Sequence, residues 1–258
     1  MTTLAHLSDL HFGRTDARVV KALLDDLHRH RPDLIIVSGD LTQRARSHQF
    51  AEARSFLEQL PAPALVVPGN HDLAPLYRPF SRVFAPREKF RRHLPGHDPL
   101  PVWSDEGVLV LGLDSTRSLR WKEGRLRDRH LDHVEEMVAR AAPGACKVAF
   151  MHHPLASTAF GHPFEALAER GIDLVLTGHV HRVHMEVIHA RSGGSCILVQ
   201  ASTACSTRLR EDANGYGLVH LAMPAMDIVV QGWSGESFHP VRHWRFHKDH
   251  RGLWETRT

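Results

Sequence analysis

Cysteine is scarce in this chain, and so are long apolar runs. Only three cysteines occur among 258 residues: Cys146, Cys196 and Cys205. None forms a Cys-x-x-Cys pair, and each lies in or beside an apolar run. A disulfide framework and a thiolate zinc site are therefore excluded, and buried thiols in a reducing compartment are expected. No apolar run approaches the roughly 20 residues that cross a bilayer. The first one, Leu4 to Leu7, is too short for a signal peptide and leads straight into charged residues. The cytoplasm is the expected location. No Pro/Gly/Ser-rich linker, low-complexity tract or internal repeat divides the chain. A single domain over residues 1–240 is expected, followed by a polar, basic tail over 241–258.

A dominant charge sign is missing too. Lys and Arg number 32 against 29 Asp and Glu, for a formal charge of +3. That balance by itself indicates neither a nucleic-acid nor a membrane partner. Histidine, in contrast, is abundant at 22 residues. A His near an Asp is then expected by chance, so only combinations of motifs carry weight.

Such a combination exists at the ends of apolar runs. Thr3 to Leu7 leads to Ser8-Asp9-Leu10-His11. Asp9 and His11 lie two apart, so an extended chain projects both to one side. Asp16 to His30 reads as a helix, with Asp16 as N-cap and a stripe of Val19, Val20, Leu23, Leu24 and Leu27. Asp33 to Val37 is a buried strand that ends in Ser38-Gly39-Asp40. Ser47 to Leu60 is a second helix, with Ser47 as its expected N-cap. Ala64 to Val67 is a third strand, followed by Pro68-Gly69-Asn70-His71-Asp72. The order β-α-β-α-β predicts parallel strands with their polar ends on one edge, where open α/β sheets place ligands.

The second half repeats the theme. Val108 to Leu113 ends at Asp114-Ser115-Thr116. Gly124-Arg125-Leu126 precedes a helix from about Asp128 to Ala142. Lys147 to Met151 ends in His152-His153, and Leu174 to Leu176 in Thr177-Gly178-His179-Val180-His181. Strands are expected over 183–190, 195–201, 217–223 and 228–233. The Thr207-Arg208 region follows a strand and either reaches the strand-end residues or, the favoured reading, is an ordinary loop. Leu73 to Pro101 mixes Tyr77, Phe80, Phe84 and Phe90 with Arg78, Arg82, Arg87, Lys89, Arg91 and Arg92, against only Glu88 and Asp98. It reads as a lid over an anionic substrate, as a surface for lipid or nucleic acid, or as a solvated helix whose aromatics dock on the core.

Five strand ends thus offer Asp9 and His11, Asp40, Asn70, His152, then His179 and His181. These are nitrogen and oxygen donors, which suit manganese, iron or zinc. Seven ligands are too many for one ion and fit two, provided one carboxylate bridges; Asp40 is the candidate. Two divalent ions outweigh Asp9, Asp40 and a bridging hydroxide by about one positive charge, so the site attracts an anion and suits phosphoryl transfer.

Asp-x-His, Gly-Asp, Gly-Asn-His-Asp, His and Gly-His-x-His in this order resemble the calcineurin-like metallophosphoesterases, over residues 3 to about 185. The resemblance implies a four-layer αββα sandwich of two facing mixed sheets flanked by helices. It implies one metal on Asp9, His11, Asp40 and His181, and a second on Asp40, Asn70, His152 and His179. It also implies attack by a bridging hydroxide. It further implies that His71 protonates the leaving oxygen or steadies the transition state, that Asp72 orients His71, and that His153 stands behind the ligands. A homodimer is compatible with the family. The His-His-Pro segment and Gly124-Arg125-Leu126 resemble class III cyclic nucleotide phosphodiesterases. The expected substrate is a small anionic phosphodiester such as a 3′,5′-cyclic nucleotide. Alternatives are a pyrophosphate hydrolase acting on a nucleotide-linked lipid precursor, a nuclease, and, remotely, a metal-free protein-binding scaffold.

Overall fold

A computed structural model describes residues 1–75, 77, 79–94, 100–119, 123–155 and 163–257. Its first sheet contains β1 (Thr2–Leu7), β2 (Leu34–Val37), β3 (Ala64–Val66), β10 (Gly215–Ala222), β11 (Ala225–Trp233), β12 (Phe238–Lys248) and β13 (Trp254–Arg257), in the order β13-β12-β11-β10-β1-β2-β3. β1, β2 and β3 are parallel, and the remainder of that sheet is antiparallel. The second sheet runs β4 (Val102–Ser104), β5 (Val108–Gly112), β6 (Cys146–Phe150), β7 (Leu174–Thr177), β9 (Ser195–Gln200) and β8 (His184–His189). Its four central strands are parallel, and each edge strand pairs antiparallel.

Alternation of side chains along the strands builds the layers. Leu34 and Ile36 of β2 turn toward Val110, Val148 and Leu174 of the other sheet, forming the core between the sheets. Ile35 and Val37 turn the opposite way, onto Val19, Leu23 and Leu27 of α1 (Ala17–His30) and Phe50 and Phe56 of α2 (Ser47–Leu57). Beyond the second sheet, Leu111 and Val175 meet Val134 of α5 (Asp128–Arg140) and Leu167 of α6 (Glu165–Glu169). The result is the four-layer αββα sandwich. No helix among the described residues is long and apolar enough to cross a membrane.

The expected N-cap at Asp16 is present, its carboxylate accepting from the Arg18 amide at 2.9 Å. At α2, Ser47 is instead the first helical residue. Gln49 reaches back there, its side-chain oxygen accepting from the Arg44 and Arg46 amides at 2.9 and 3.3 Å.

Two regions differ from expectation. The boundary expected at residue 240 falls inside β12, and residues 241–257 supply two strands rather than a tail. Their outer faces are polar, which hides the strand pattern. Phe246 and Trp254 nevertheless enter the core between the sheets, and the Trp254 indole donates to Asp173 at 3.2 Å. In the aromatic-basic segment, α3 (Pro79–Phe84) and α4 (Glu88–His93) are short helices. Of its aromatics Phe90 docks in the core, beside Leu94, while Tyr77, Phe80 and Phe84 face solvent. Arg78 and Asp98 lie outside the described residues. The segment is fastened down by arginines. Arg82 donates to the Ala74 and Ser118 carbonyls, and Arg87 pairs with buried Asp114 and donates to Thr116 Oγ1.

Trp254→Ala removes a large side chain from the core, so it should cost about 3–5 kcal/mol of unfolding free energy in urea. A change within about 0.5 kcal/mol would mean that residues 249–257 do not belong to the fold.

Candidate metal centre

Strand ends of both sheets converge on one edge, and five loops bring nine polar side chains together. Asp9, His11, Asp40, Asn70, Asp72, His152 and His181 are buried, and His71 and His179 are partly so. Seven non-glycine residues among those described adopt a left-handed backbone. Five of these are Asp9, His11, Asp40, His179 and His181. Such conformations cost energy for side chains with a Cβ, and they persist where the surroundings over-determine them.

The surroundings here are hydrogen bonds aimed at the carboxylates. Asp9 accepts from Ser8 Oγ at 2.7 Å and from the His179 amide at 2.8 Å, while Thr203 Oγ1 donates to its carbonyl at 2.6 Å. Asp40 Oδ1 accepts from the His71 amide at 2.8 Å. Burial opposes ionisation of both carboxylates, but the neighbouring imidazoles outweigh it and hold both well below the usual range.

Backbone carbonyls orient three imidazoles from behind. His152 Nδ1 meets Ser38 O at 2.9 Å, His181 Nδ1 meets Arg208 O at 2.8 Å, and His71 Nδ1 meets Gln43 O at 2.7 Å. A carbonyl only accepts, so each Nδ1 carries the proton and each Nε2 presents a lone pair inward. His152 Nε2 lies 3.2 Å from Asn70 Oδ1 and 3.4 Å from Asp40 Oδ2. His181 Nε2 lies 3.0 Å from Asp9 Oδ1 and 3.2 Å from His11 Nε2. Where both atoms are acceptors, as at His152 Nε2 with Asn70 and Asp40 and at His181 Nε2 with Asp9, such distances need a cation between them. A proton can serve at His152: burial lowers its pKa, yet the Asp40 carboxylate lifts it to about 9. A metal ion satisfies several of these lone pairs at once, so the donor set fits one. Three groupings have ligand atoms close enough to hold an ion: Asp9 with His11 and His181, Asp9 with Asp40 and His152, and His152 with His153 and His179.

All seven side chains expected as ligands therefore meet in one place, and so does His71. Two expectations change. The Asp72 carboxylate is committed to backbone amides. It accepts from the Leu41, Thr42 and Gly69 amides at 3.1, 2.8 and 2.9 Å, clamping the turn beneath Asn70 and His71. Burial and the Asp40 charge push its pKa up to about 6. The Gln43 carbonyl holds the ring instead. The Thr207-Arg208 loop is more than a connection, because Arg208 Nη1 lies 3.2 Å from His71 Nε2. A guanidinium only donates, so His71 Nε2 is the acceptor in this arrangement. Sequence reasoning passes over Gln43 because a backbone carbonyl carries no residue signature. Ser115 has a definite task as well: its hydroxyl lies 2.9 Å from His153 Nδ1 and accepts from the His153 amide. Gly124 packs so tightly on His153 that a Cβ there would strike the His153 side chain.

A profile of the calcineurin-like phosphoesterase family matches residues 2–183. The chain belongs to this family. Among relatives of this calcineurin-like phosphoesterase, a glycerophosphodiester phosphodiesterase, GpdQ, from Enterobacter lignolyticus is 31% identical over 209 residues, covering 70% of this chain and 72% of that protein. A probable cyclic nucleotide phosphodiesterase from a Synechococcus species is 26% identical over 208 residues, covering 71% and 75%. The purple acid phosphatase of yellow lupin seeds shares the fold, with a TM-score of 0.68 at 12% identity, over 97% of this chain and 54% of that one. The present chain thus spans about half the lupin enzyme's length. Calcineurin-like phosphoesterases are hydrolases that use divalent metals, and the buried His/Asp clusters are groups that could bind them here.

A Cβ at Gly178 would run into Ser8 Oγ and Asp9 Oδ2. Gly178→Ala should therefore displace the Asp9 carboxylate and lower the metal content of the purified protein while circular dichroism is retained. Unchanged metal stoichiometry would remove Asp9 from the centre.

Proposed function

We propose that this phosphoesterase hydrolyses a small phosphodiester at a centre of two metal ions. Asp9, His11, Asp40 and His181 would surround one ion, and Asp40, Asn70, His152 and His179 the other, with Asp40 shared. Nitrogen and oxygen donors without sulfur suit manganese, iron or zinc. The observation that carries the reading is the cleft beside this cluster. It measures about 380 Å³, reaches Asn70 and His71, and is walled by Leu73, Pro75 and Tyr77. That volume lies in the range of roughly 300–1,000 Å³ typical of small-molecule sites. The relatives named for glycerophosphodiesters and cyclic nucleotides support the same substrate class.

When bound, the two ions would neutralise phosphate oxygens and lower the pKa of the attacking water. The chain supplies the rest. Asp72 holds the turn that presents Asn70 and His71. The His71 ring stays in place because Nδ1–H donates to Gln43 O. A phosphate oxygen arriving at the centre would take over the N–H that Arg208 points at His71. His71 Nε2 would then be free to take a proton from water and pass it to the leaving oxygen. Three buried free thiols fit a reducing compartment, and we assign the protein to the cytoplasm on that ground.

A second reading has one observation in its favour. Tyr77, Phe80 and Phe84 are exposed by 71%, 80% and 81%, and Tyr77 also walls the cleft. Such an aromatic patch suits a hydrolase acting on a lipid-linked pyrophosphate. Sedimentation with anionic liposomes tests it, and no binding would dismiss it.

The Mn²⁺-loaded protein should cleave bis-p-nitrophenyl phosphate in preference to p-nitrophenyl phosphate. Turnover of the monoester alone would sink the phosphodiesterase reading, and cyclic AMP then tests the cyclic nucleotide class. Asp40→Ala should strip metal from both positions. His71→Ala should keep the metal and lose about 10²–10⁴-fold in turnover. Equal metal loss in the two variants would contradict the separate role of His71.

A further inference from the structure

A second depression opens on the other side of Gln43 and Arg44 from the apolar cleft. It measures about 400 Å³ and is lined by Arg14, Arg44, Arg46 and Arg208, with Gln43 and Gln49. Among the described residues, none of these four arginines pairs with a carboxylate. Elsewhere on the molecule, Arg18, Arg54, Arg92 and Arg140 each have a nearby acid. A concentration of unpaired guanidinium groups is a net positive patch, and guanidinium matches the oxygens of a phosphate.

The groove is braced rather than accidental. Gln49 is buried, and its side-chain oxygen holds the Arg44 and Arg46 amides at 2.9 and 3.3 Å. Ala45, between them, is buried in a left-handed conformation. Its amide donates to Thr42 Oγ1 at 3.1 Å, and its carbonyl accepts from Lys89 Nζ at 2.9 Å. The third loop is tied to the first: the Thr207 amide and the Ser206 and Thr207 hydroxyls all donate to Arg14 O, at 2.7, 3.1 and 3.0 Å. Gln43 joins the second loop to both, its amide donating to Phe12 O at 3.0 Å and its side-chain oxygen accepting from Arg208 Nη1 at 3.5 Å, so the arginines of three loops share one surface. That surface is continuous with the metal centre, because Arg208 Nη1 reaches His71 Nε2 at 3.2 Å.

We infer that this groove is a subsite for a second phosphate, carried on one ester arm of a linear phosphodiester whose other arm lies in the apolar cleft. The inference rests on the phosphodiesterase reading of the metal centre. A diester has two arms, and the structure offers two depressions of opposite chemistry meeting at Gln43 and Arg44. A cyclic nucleotide closes both esters in one ring and fills one depression. A short 5′-phosphorylated dinucleotide, with a base on one side and a second phosphate on the other, fills both.

Calorimetric titration of the Mn²⁺-loaded protein with adenosine 3′,5′-bisphosphate and with adenosine 3′-monophosphate tests this directly. The bisphosphate should bind at least about tenfold tighter at low ionic strength. The advantage should shrink as salt is raised through about 0.5 M, and it should disappear in Arg14→Gln/Arg46→Gln. Equal affinities in the native protein, or an advantage unchanged by the double substitution, would overturn the subsite. A continued rise in affinity from a dinucleotide to a long strand would overturn it in favour of a polymer track. Turnover of bis-p-nitrophenyl phosphate, measured alongside, reports on the phosphodiesterase reading alone. The affinity gap between the two adenosine ligands reads the groove whatever that turnover shows.

Discussion

Two carboxylates, Asp9 and Asp40, are held almost without solvent contact at 0% and 2% exposure. Taking an ionised carboxylate out of water costs several kcal/mol unless positive charge and donors replace the lost hydration. Much of the surrounding architecture supplies that replacement. Backbone amides of His71 and His179 point at the two acids, and hydroxyls of Ser8 and Thr203 brace the first. The imidazoles of His11, His152 and His181 face them with their ring orientation set by carbonyls behind two of the three. The arrangement is complete electrostatically only when cations enter it, which couples the stability of this edge of the sandwich to metal binding.

The same demand explains where the backbone is strained. Asp9, His11, Asp40, His179 and His181 take left-handed conformations in loops that leave the ends of β1, β2 and β7. A strand alone projects alternate side chains to opposite faces. Bringing consecutive or alternate ligands onto one centre requires the chain to fold sharply back as it leaves the sheet. Rigid parallel strands, buried on both sides, hold the loops firmly enough to keep those conformations. Glycine at 178 lets the chain pass close to Asp9, where any side chain would collide.

Around this centre the surface is divided by chemistry. One side is an apolar cleft beside His71, and the other is a groove of arginines that pair with no carboxylate among the described residues, on three braced loops. Gln43 and Arg44 belong to both. His71 stands at the junction, its ring fixed by Gln43 and faced by Arg208. The apolar cleft, the arginine groove and the His71 ring are therefore joined through one short loop after β2.

Strand and helix patterns, the order of the ligand motifs and the sandwich they imply were legible from local sequence, because apolar periodicity and strand-end polar residues are short-range signals. β12 and β13 were not, since their outer faces are polar and only a few widely spaced side chains, Phe238, Phe246 and Trp254 among them, reach the core. The task of Asp72 was not legible either. Adjacency in sequence suggested His71 as its partner, whereas the fold brought the amides of Leu41, Thr42 and Gly69 closer. The arginine groove needed three-dimensional contact between residues as far apart as Arg14 and Arg208. By itself the sequence determined which donors stand at which strand ends, since that depends on neighbours along the chain. Only the tertiary structure decided which lone pairs face one another, which carbonyl fixes each imidazole and which arginines share a surface. Those depend on how loops from different strands meet at one edge.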